Sequence, residues 1–222
     1  MLRSRFVRSS VLVWTAFVTL SCSEYSPTAP PIQAPSQTQD GLLSGLLGGV
    51  VGLVTNLLGT VLNVIDFQYD PNGIPVDAVK WTGTHINRTA SVSGYIGKNG
   101  GTLALPSSDV TISFPAGALS TTTLITIVSD GDGYVSYDMK PHGLKFAVPV
   151  IVTQRLQNTG VYGTSLALKA AGAYFDKTPD PSGSLKALEI EKTTIFSSKN
   201  DGKADVETWQ LNHFSRYMLA SG

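Results

Sequence analysis

The stretch "LKFAVPVIV", residues 144–152, carries the pattern that decides the fold. Successive side chains of a β-strand point to opposite faces of its sheet, so an apolar residue at every second position predicts one buried face. That face is predicted to carry Leu144, Phe146, Val148, Val150 and Val152. Pro149 lies within the run and donates no ladder hydrogen bond, which predicts a bulge or a sheet edge at this point.

The same period of two recurs on both sides of this stretch. "VTISF", residues 110–114, alternates in the same way, and shorter runs continue as far as "TTIFSS", residues 193–198. Between the runs lie segments typical of turns, namely Asp130–Gly133, Asp180–Gly183 and Asn200–Gly202. Many short alternating strands without a long helical period predict an all-β domain, an antiparallel β-sandwich, over residues 66–222.

Residues 1–21 are predicted to be a secretory signal peptide. A basic, acid-free head precedes the apolar run "VLVWTAFVTL", which is shorter than the roughly 20 residues that a membrane span needs. Thr19–Cys22 resembles a bacterial lipobox, so Cys22 is the predicted lipidation site and the lipid would anchor the protein to a membrane. Ser23 is compatible with the outer membrane of a two-membrane bacterium. The alternative is a secreted protein with a leftover cysteine.

Two further segments precede the predicted domain. Residues 22–40, the lipidated cysteine and a stretch rich in Pro, Ser, Thr and Gln, are predicted to form a flexible linker, a disordered tether. Residues 41–65 contain no charge and are rich in Leu, Val and Gly, which predicts an apolar helix. This segment could cross the membrane, lie on it, self-associate through Gly45-x-x-x-Gly49, or rest on the domain.

Composition excludes several classes of function. Charged residues make up 14% of the chain and the formal net charge is zero, which argues against a nucleic-acid partner. A single cysteine allows no internal disulfide. The three histidines show no metal-ligand spacing, so neither a metal nor a cofactor is predicted. Two Asp-rich stretches, 130–133 and 200–207, resemble incomplete calcium loops and are interpreted as Asx turns.

Three blocks within residues 100–153 resemble a known module. They are "GGTLALPSSDVTISFPAGAL", "TTTLITIV" and "MKPHGLKFAVPVIVT", in this order. Together they resemble the ZU-five domain, which is found in zonula occludens proteins, Unc-five netrin receptors and ankyrins. The resemblance implies a β-sandwich that serves in protein interaction or as a spacer.

Small and turn-forming residues of these blocks are predicted to shape the connections between strands: Gly100, Gly101, Pro115, Gly117, Pro141, His142 and Gly143. Glycine adopts positive φ at tight turns, and proline ends a strand because it donates no hydrogen bond. His142, between Pro and Gly at a strand start, is interpreted as a hydrogen-bonded structural imidazole.

The stretch "LNHFSRYMLA", residues 211–220, allows two interpretations. "HFSRY" resembles the close of the ZU-five domain, and in relatives of this module the tripeptide His-Phe-Ser cleaves itself between Phe and Ser. By that resemblance Ser215 would attack the carbonyl of Phe214 with the help of His213. The other interpretation is a bend into the closing strand, in which Phe214 and Tyr217 fill the core.

The sequence therefore predicts a lipid-anchored cell-envelope protein that binds an unidentified protein partner or supports envelope structure, without enzymatic activity. Cleavage of its own Phe214–Ser215 bond is one alternative. A carbohydrate-binding or adhesive sandwich is the other, and it would need an exposed aromatic strip formed by Trp81, Tyr134, Tyr137 or Trp209.

Overall fold

The computed structural model describes residues 58–85, 88–180 and 184–222, and this part of the chain is all-β, as predicted. Its strands form two sheets, and every strand pairing in these ranges is antiparallel. The predicted signal peptide, lipidation site and linker, and residues 41–57 of the apolar segment, lie outside the described residues.

The first sheet has six strands. In spatial order they are β1 (Thr60–Ile65), β11 (Thr193–Ser197), β12 (Val206–His213), β8 (Lys145–Arg155), β5 (Val110–Phe114) and β4 (Gly101–Leu105). The "VTISF" and "LKFAVPVIV" runs are therefore neighbours at its centre.

The second sheet has seven strands. In spatial order they are β2 (Gln68–Ala78), β10 (Leu185–Ile190), β9 (Ala170–Phe175), β13 (Arg216–Ser221), β7 (Ser136–Lys140), β6 (Thr123–Ser129) and β3 (Ala90–Ile96). The end of β2 also pairs with the end of β13, so this side of the sheet curls back on itself. Short 3-10 helices lie at Gly83–His85, Pro106–Ser108 and Ser165–Leu168.

The predicted faces of β5 and β8 are confirmed. Ile112, Val150 and Val152 are completely buried between the sheets. β8 lies in the interior of its sheet, so Pro149 does not mark an edge. The register between β12 and β8 shifts instead, since Leu211 pairs with Val150 and His213 pairs with Lys145. Pro149 falls inside this irregularity, as expected for a residue that cannot donate to the ladder.

The described residues form two hydrophobic cores. The main core lies between the two sheets. The second core lies on the other face of β9 and β13, where β2 and β10 curl over them. It consists of Ala171, Ala173, Phe175, Leu185, Ala187, Ile190, Met218 and Ala220. β9 and β13 are thus buried on both faces.

The predicted boundary of the domain at residue 66 is wrong. Thr60–Ile65, taken as the end of an apolar helix, form strand β1 and pair with β11. Val61, Val64 and Ile65 are β-branched and favour a strand, and an adjacent sheet edge satisfies their backbone groups. Within the described ranges, no helix combines the length and hydropathy needed to cross a membrane.

Candidate functional site

The His213–Phe214–Ser215 turn carries the chain from one sheet to the other. β12 of the first sheet ends at His213, and β13 of the second sheet begins at Arg216. Phe214 is completely buried, and its ring packs edge-on against Phe146 and Phe114 at centroid distances of 4.8 and 6.0 Å. The Phe214–Ser215 peptide is therefore held by the main core, as the core interpretation of Phe214 predicted.

Backbone hydrogen bonds fix this peptide further. The Phe214 N–H donates to the Leu144 carbonyl at 2.8 Å, and the Phe214 carbonyl accepts from the Gly143 N–H at 2.8 Å. The Ser215 carbonyl accepts from the Met139 N–H at 2.9 Å. A donor directed at the Phe214 oxygen polarises this carbonyl and would stabilise an oxyanion formed there. The "PHG" block thus lies against the "HFS" block, which sequence reasoning did not foresee.

His213 is surrounded by groups from three other strands. Its Nε2 lies 3.3 Å from Glu189 Oε2, and its Nδ1 lies 3.3 Å from the Tyr217 hydroxyl. The same hydroxyl donates to the His213 carbonyl at 2.9 Å. The imidazole meets the Tyr174 ring edge-on at a centroid distance of 4.8 Å. Both ring nitrogens therefore face groups other than the Ser215 hydroxyl.

A second carboxyl group lies in the same region. Glu191 is 1% exposed, and its Oε1 has no hydrogen-bond partner. Burial, with a smaller contribution from the charge of Glu189, raises the pKa of Glu191 to about 8. Burial also raises the pKa of Tyr217, and the charges of Glu191 and Glu189 add to this shift. The surroundings of His213 thus combine a carboxyl that holds its proton at neutral pH with a tyrosine that stays neutral.

Three glycines of the predicted connections between strands have positive φ. Gly100, Gly117 and Gly143 have φ values of 77°, 81° and 74°. The Pro115 carbonyl accepts from the Ala118 N–H and closes the turn that ends β5. His142 Nε2 contacts Asp138 Oδ1, which agrees with a hydrogen-bonded structural role.

The Asp-rich stretches form local turns. Asp132 Oδ1 accepts from the Tyr134 N–H at 2.9 Å, and Asp201 Oδ1 accepts from the Lys203 N–H at 3.0 Å. Both are the Asx turns that the sequence predicted. Among the described residues, no group of three or more His, Cys, Asp or Glu could hold a metal ion.

The aromatic residues considered for a carbohydrate-binding strip are mostly internal. Trp81, Tyr137 and Trp209 are 3%, 2% and 0% exposed and belong to the main core. Tyr134 is partly buried and packs against the second core. These four residues therefore form no exposed strip.

Sequence reasoning missed a polar group inside the main core. Glu207 is completely buried, neither carboxyl oxygen has a hydrogen-bond partner, and burial raises its pKa well above the ordinary value. It pairs across the strands with Gln154, whose side chain hydrogen-bonds to the Tyr137 hydroxyl. The period of two was the available signal, because it places Glu207 on the same face as Trp209 and Leu211.

No protein-family model matches the chain, and a search of curated proteins finds no match. The resemblance to the ZU-five domain therefore stays a prediction, and function has to be argued from the geometry of the described residues.

Proposed function

We propose that the chain is a lipid-anchored cell-envelope protein whose ZU-five-like sandwich binds a protein partner at the open edge of β3. The proposed role is non-enzymatic, and the partner would add an extended segment to the second sheet. Main-chain hydrogen bonds supply affinity in such strand addition, and side chains next to the edge supply specificity.

The exposed pair next to the β3 edge carries this proposal. Tyr95 of β3 and Leu124 of β6 are directly paired across the strands and are 74% and 48% exposed. Beside them, the Ser93 and Thr126 hydroxyls hydrogen-bond at 2.7 Å. β3 pairs with β6 over all seven residues without a register shift, and among the described strands it has no partner on its other edge.

The outer strands β1 and β2 are protected against pairing with a strand of another molecule, whereas β3 is not. β1 contains a register shift between Val61 and Asn63, and β2 contains Pro71 and Pro75 and is paired on both sides. Bulges, prolines and charges are the usual means of blocking edge-to-edge pairing. The β3 sequence, "ASVSGYI", has neither charge nor proline.

Site-specific photocrosslinking in the native envelope tests this surface. A photoreactive residue in place of Tyr95 is expected to give a discrete product of higher mass, whereas the same residue in place of the exposed Lys199 is not. Combining Tyr95→Lys with Leu124→Lys should abolish the product formed from a photoreactive residue at Ser91. Equal yields from positions 95 and 199 would refute the proposal.

The anchor has a separate test. Metabolic labelling with a fatty acid should label the wild-type protein and not the Cys22→Ser variant, and both proteins should contain the same folded domain. An unlabelled wild-type protein released into the medium would overturn the lipoprotein part alone and leave the β3 surface untouched.

A specific contact favours self-processing as a second candidate function. The Gly143 N–H, 2.8 Å from the Phe214 oxygen, is placed to stabilise the oxyanion of an N-to-O acyl shift. In this reaction the Ser215 hydroxyl adds to the Phe214 carbonyl carbon, and its proton is transferred to the Ser215 amide nitrogen. His213 could carry this proton only if its ring turned away from Glu189 and Tyr217. The C–N bond then breaks and leaves an ester and a free amine. Water hydrolyses the ester to the Phe214 carboxylate and the Ser215 hydroxyl.

Mass spectrometry of the intact protein distinguishes a full-length chain from one cleaved between Phe214 and Ser215. Cleavage would separate residues 215–222, which β13 would hold in place until denaturation. If cleavage occurs, Ser215→Ala is expected to give only full-length protein. A single full-length species of the wild type after denaturation would eliminate this candidate, since His213 would then serve only to fix the turn.

A further inference from the structure

One pair of buried apolar side chains belongs to neither core. Phe196 of β11 and Val206 of β12 are directly paired and are 0% and 5% exposed. Their strand neighbours Ile195 and Glu207 are the inward-facing residues, and Ile195 belongs to the main core. Because side chains alternate, Phe196 and Val206 lie on the outer face of the first sheet.

The covered part of this outer face extends to one more residue of β12, whereas Val61 and Val64 of β1, on the same face, are 38% and 49% exposed. Thr208, which shares the face with Val206, is only 8% exposed. Thr194, Thr208, Thr153 and Thr111 form a continuous row across four strands next to Phe196. A sheet face of threonine and aliphatic residues with a fully buried phenylalanine requires an apolar covering layer, because it would otherwise expose Phe196 to water.

The chain just before β1 lies over this face. Leu58 lines a cavity of about 580 Å³ together with Val206, Thr153 and Thr111. Leu58 is the first described residue, so the path of the chain arrives here directly from the apolar segment.

Gly59 sets the direction of this path. Its φ is +103°, and a Cβ at this position would lie 2.2 Å from the Ser197 carbonyl oxygen. Only glycine fits such a close approach of two backbones. The next residue is held as well, since the Thr60 N–H and hydroxyl both donate to Asn200 Oδ1, at 3.2 and 2.7 Å. The Gly59 turn and the Asn200 bonds therefore fix the point at which the chain enters β1, beside the outer face of the first sheet.

We propose that residues 41–57 pack on the outer face of the first sheet and cover Phe196 and Val206. The segment is uncharged and rich in Leu and Val, and its glycines allow close approach to the threonine row. As the helix predicted from sequence, its 17 residues would span about 25 Å, close to the ~24 Å width of six strands. The apolar side chains of residues 41–57 are then buried against the domain itself. Only the linker, residues 22–40, separates the domain from the lipid.

A double-mutant comparison tests the covering layer. Phe196→Ala and Phe214→Ala are made in a chain of residues 23–222 and in a chain of residues 58–222, and thermal midpoints are measured. In the longer chain both substitutions are expected to lower the midpoint by about 10 °C. In the shorter chain Phe214→Ala should keep its effect and Phe196→Ala should lose most of it. Equal effects of Phe196→Ala in both chains would overturn the proposal.

Crosslinking in the complete lipidated protein keeps the proposal testable if the shorter chain does not fold. A photoreactive residue in place of Thr208 is expected to crosslink within its own chain to a peptide from residues 41–57, whereas one in place of Tyr95 is not. Crosslinks from position 208 to lipid, or between isotopically light and heavy copies of the chain, would show a membrane or a second copy in this place. Either result would refute the proposal.

Discussion

The two hydrophobic cores are built from different kinds of residue. The main core contains large aliphatic and aromatic side chains, and Trp209, Phe214 and Ile112 are completely buried in it. Half of the buried residues of the second core are alanines. The difference follows from the geometry, because two facing sheets lie about 10 Å apart, whereas the second core lies inside the tight curl of a single sheet.

β13 shows both environments in consecutive residues. Tyr217 and Leu219 point into the main core, and Met218 and Ala220 point into the second core. Burial on both faces produces a nearly continuous apolar run, as in the interior strands of covered sheets. The two cores therefore predict opposite responses to a change of side-chain size.

The largest effect is expected from a truncation in the main core. Leu219 is completely buried, so Leu219→Ala leaves a cavity and should lower the free energy of unfolding by about 2–5 kcal/mol. Chemical denaturation of a chain of residues 23–222 would measure the change. The exposed Leu124 serves as a matched control, and Leu124→Ala should change stability by less than about 0.5 kcal/mol. Equal losses at the two positions would contradict this account of the main core.

The pH dependence of stability tests a buried carboxyl group next to the main core. Glu191 is close enough to Tyr217, a main-core residue, for its charge to raise the pKa of that tyrosine. The folded protein keeps the Glu191 proton up to about pH 8, whereas the unfolded chain loses it near the ordinary value of 4.5. The free energy of unfolding should therefore fall as the pH rises from 5 to 8, by about 3 kcal/mol for this group.

Denaturation at pH 5, 6.5 and 8 measures this slope. Glu191→Gln should reduce the slope, leaving the contribution of the buried Glu207, whose pKa is also raised, and should make the protein more stable than the wild type at pH 8. Asp66→Asn, at an exposed position, should leave the slope unchanged. An unchanged slope in Glu191→Gln would show that Glu191 is not the group responsible.

The second core should respond to enlargement. Ala220 is 2% exposed and faces this core, so Ala220→Leu adds volume that the closed curl cannot accept and should cost about 1–3 kcal/mol. Ala220→Ser changes the volume little and serves as the control for side-chain size. If Ala220→Leu instead stabilised the protein, the second core would be loosely filled, and the contrast between the cores would disappear.

The same contrast explains which strands the sequence could predict. β5 and β8 bury one face, so their alternation was readable, and the predicted core residues of "VTISF" are confirmed. β13 buries both faces and shows no alternation. "SLALKA", residues 165–170, is one of the shorter alternating runs that were predicted to be strands, yet Ser165–Leu168 form a 3-10 helix. The Thr164 hydroxyl accepts from the Leu166 N–H and caps this helix.

The surroundings of the His213–Phe214–Ser215 turn were only partly predictable. The residue types of the turn can be read from the sequence, which also predicted that Phe214 fills the core. Gly143 and Glu189 reach the turn through pairing of distant strands, and no local pattern reports such a contact. Glu207 was included in the Asp-rich stretch 200–207 that was interpreted from the sequence as Asx turns, whereas it lies in β12 and is completely buried. A charged residue in such a position is rare, so composition gives no warning of it.

Two glycine substitutions give the smallest and sharpest test of main-core packing. A Cβ on Gly172 would lie 2.7 Å from the Trp209 ring, and a Cβ on Gly94 would lie 2.7 Å from Leu103 Cδ2. The first contact is with a completely buried indole, and the second is with the end of a flexible side chain.

Because alanine restricts the unfolded chain by about 0.4–1 kcal/mol relative to glycine, Gly94→Ala should be neutral or slightly stabilising once Leu103 changes rotamer. Gly172→Ala should lose about 1–2 kcal/mol, since Trp209 cannot move away without disturbing the main core. Denaturation midpoints of the two variants measure the difference, and equal midpoints would mean that the indole yields as easily as a leucine methyl group, contrary to a closely packed main core.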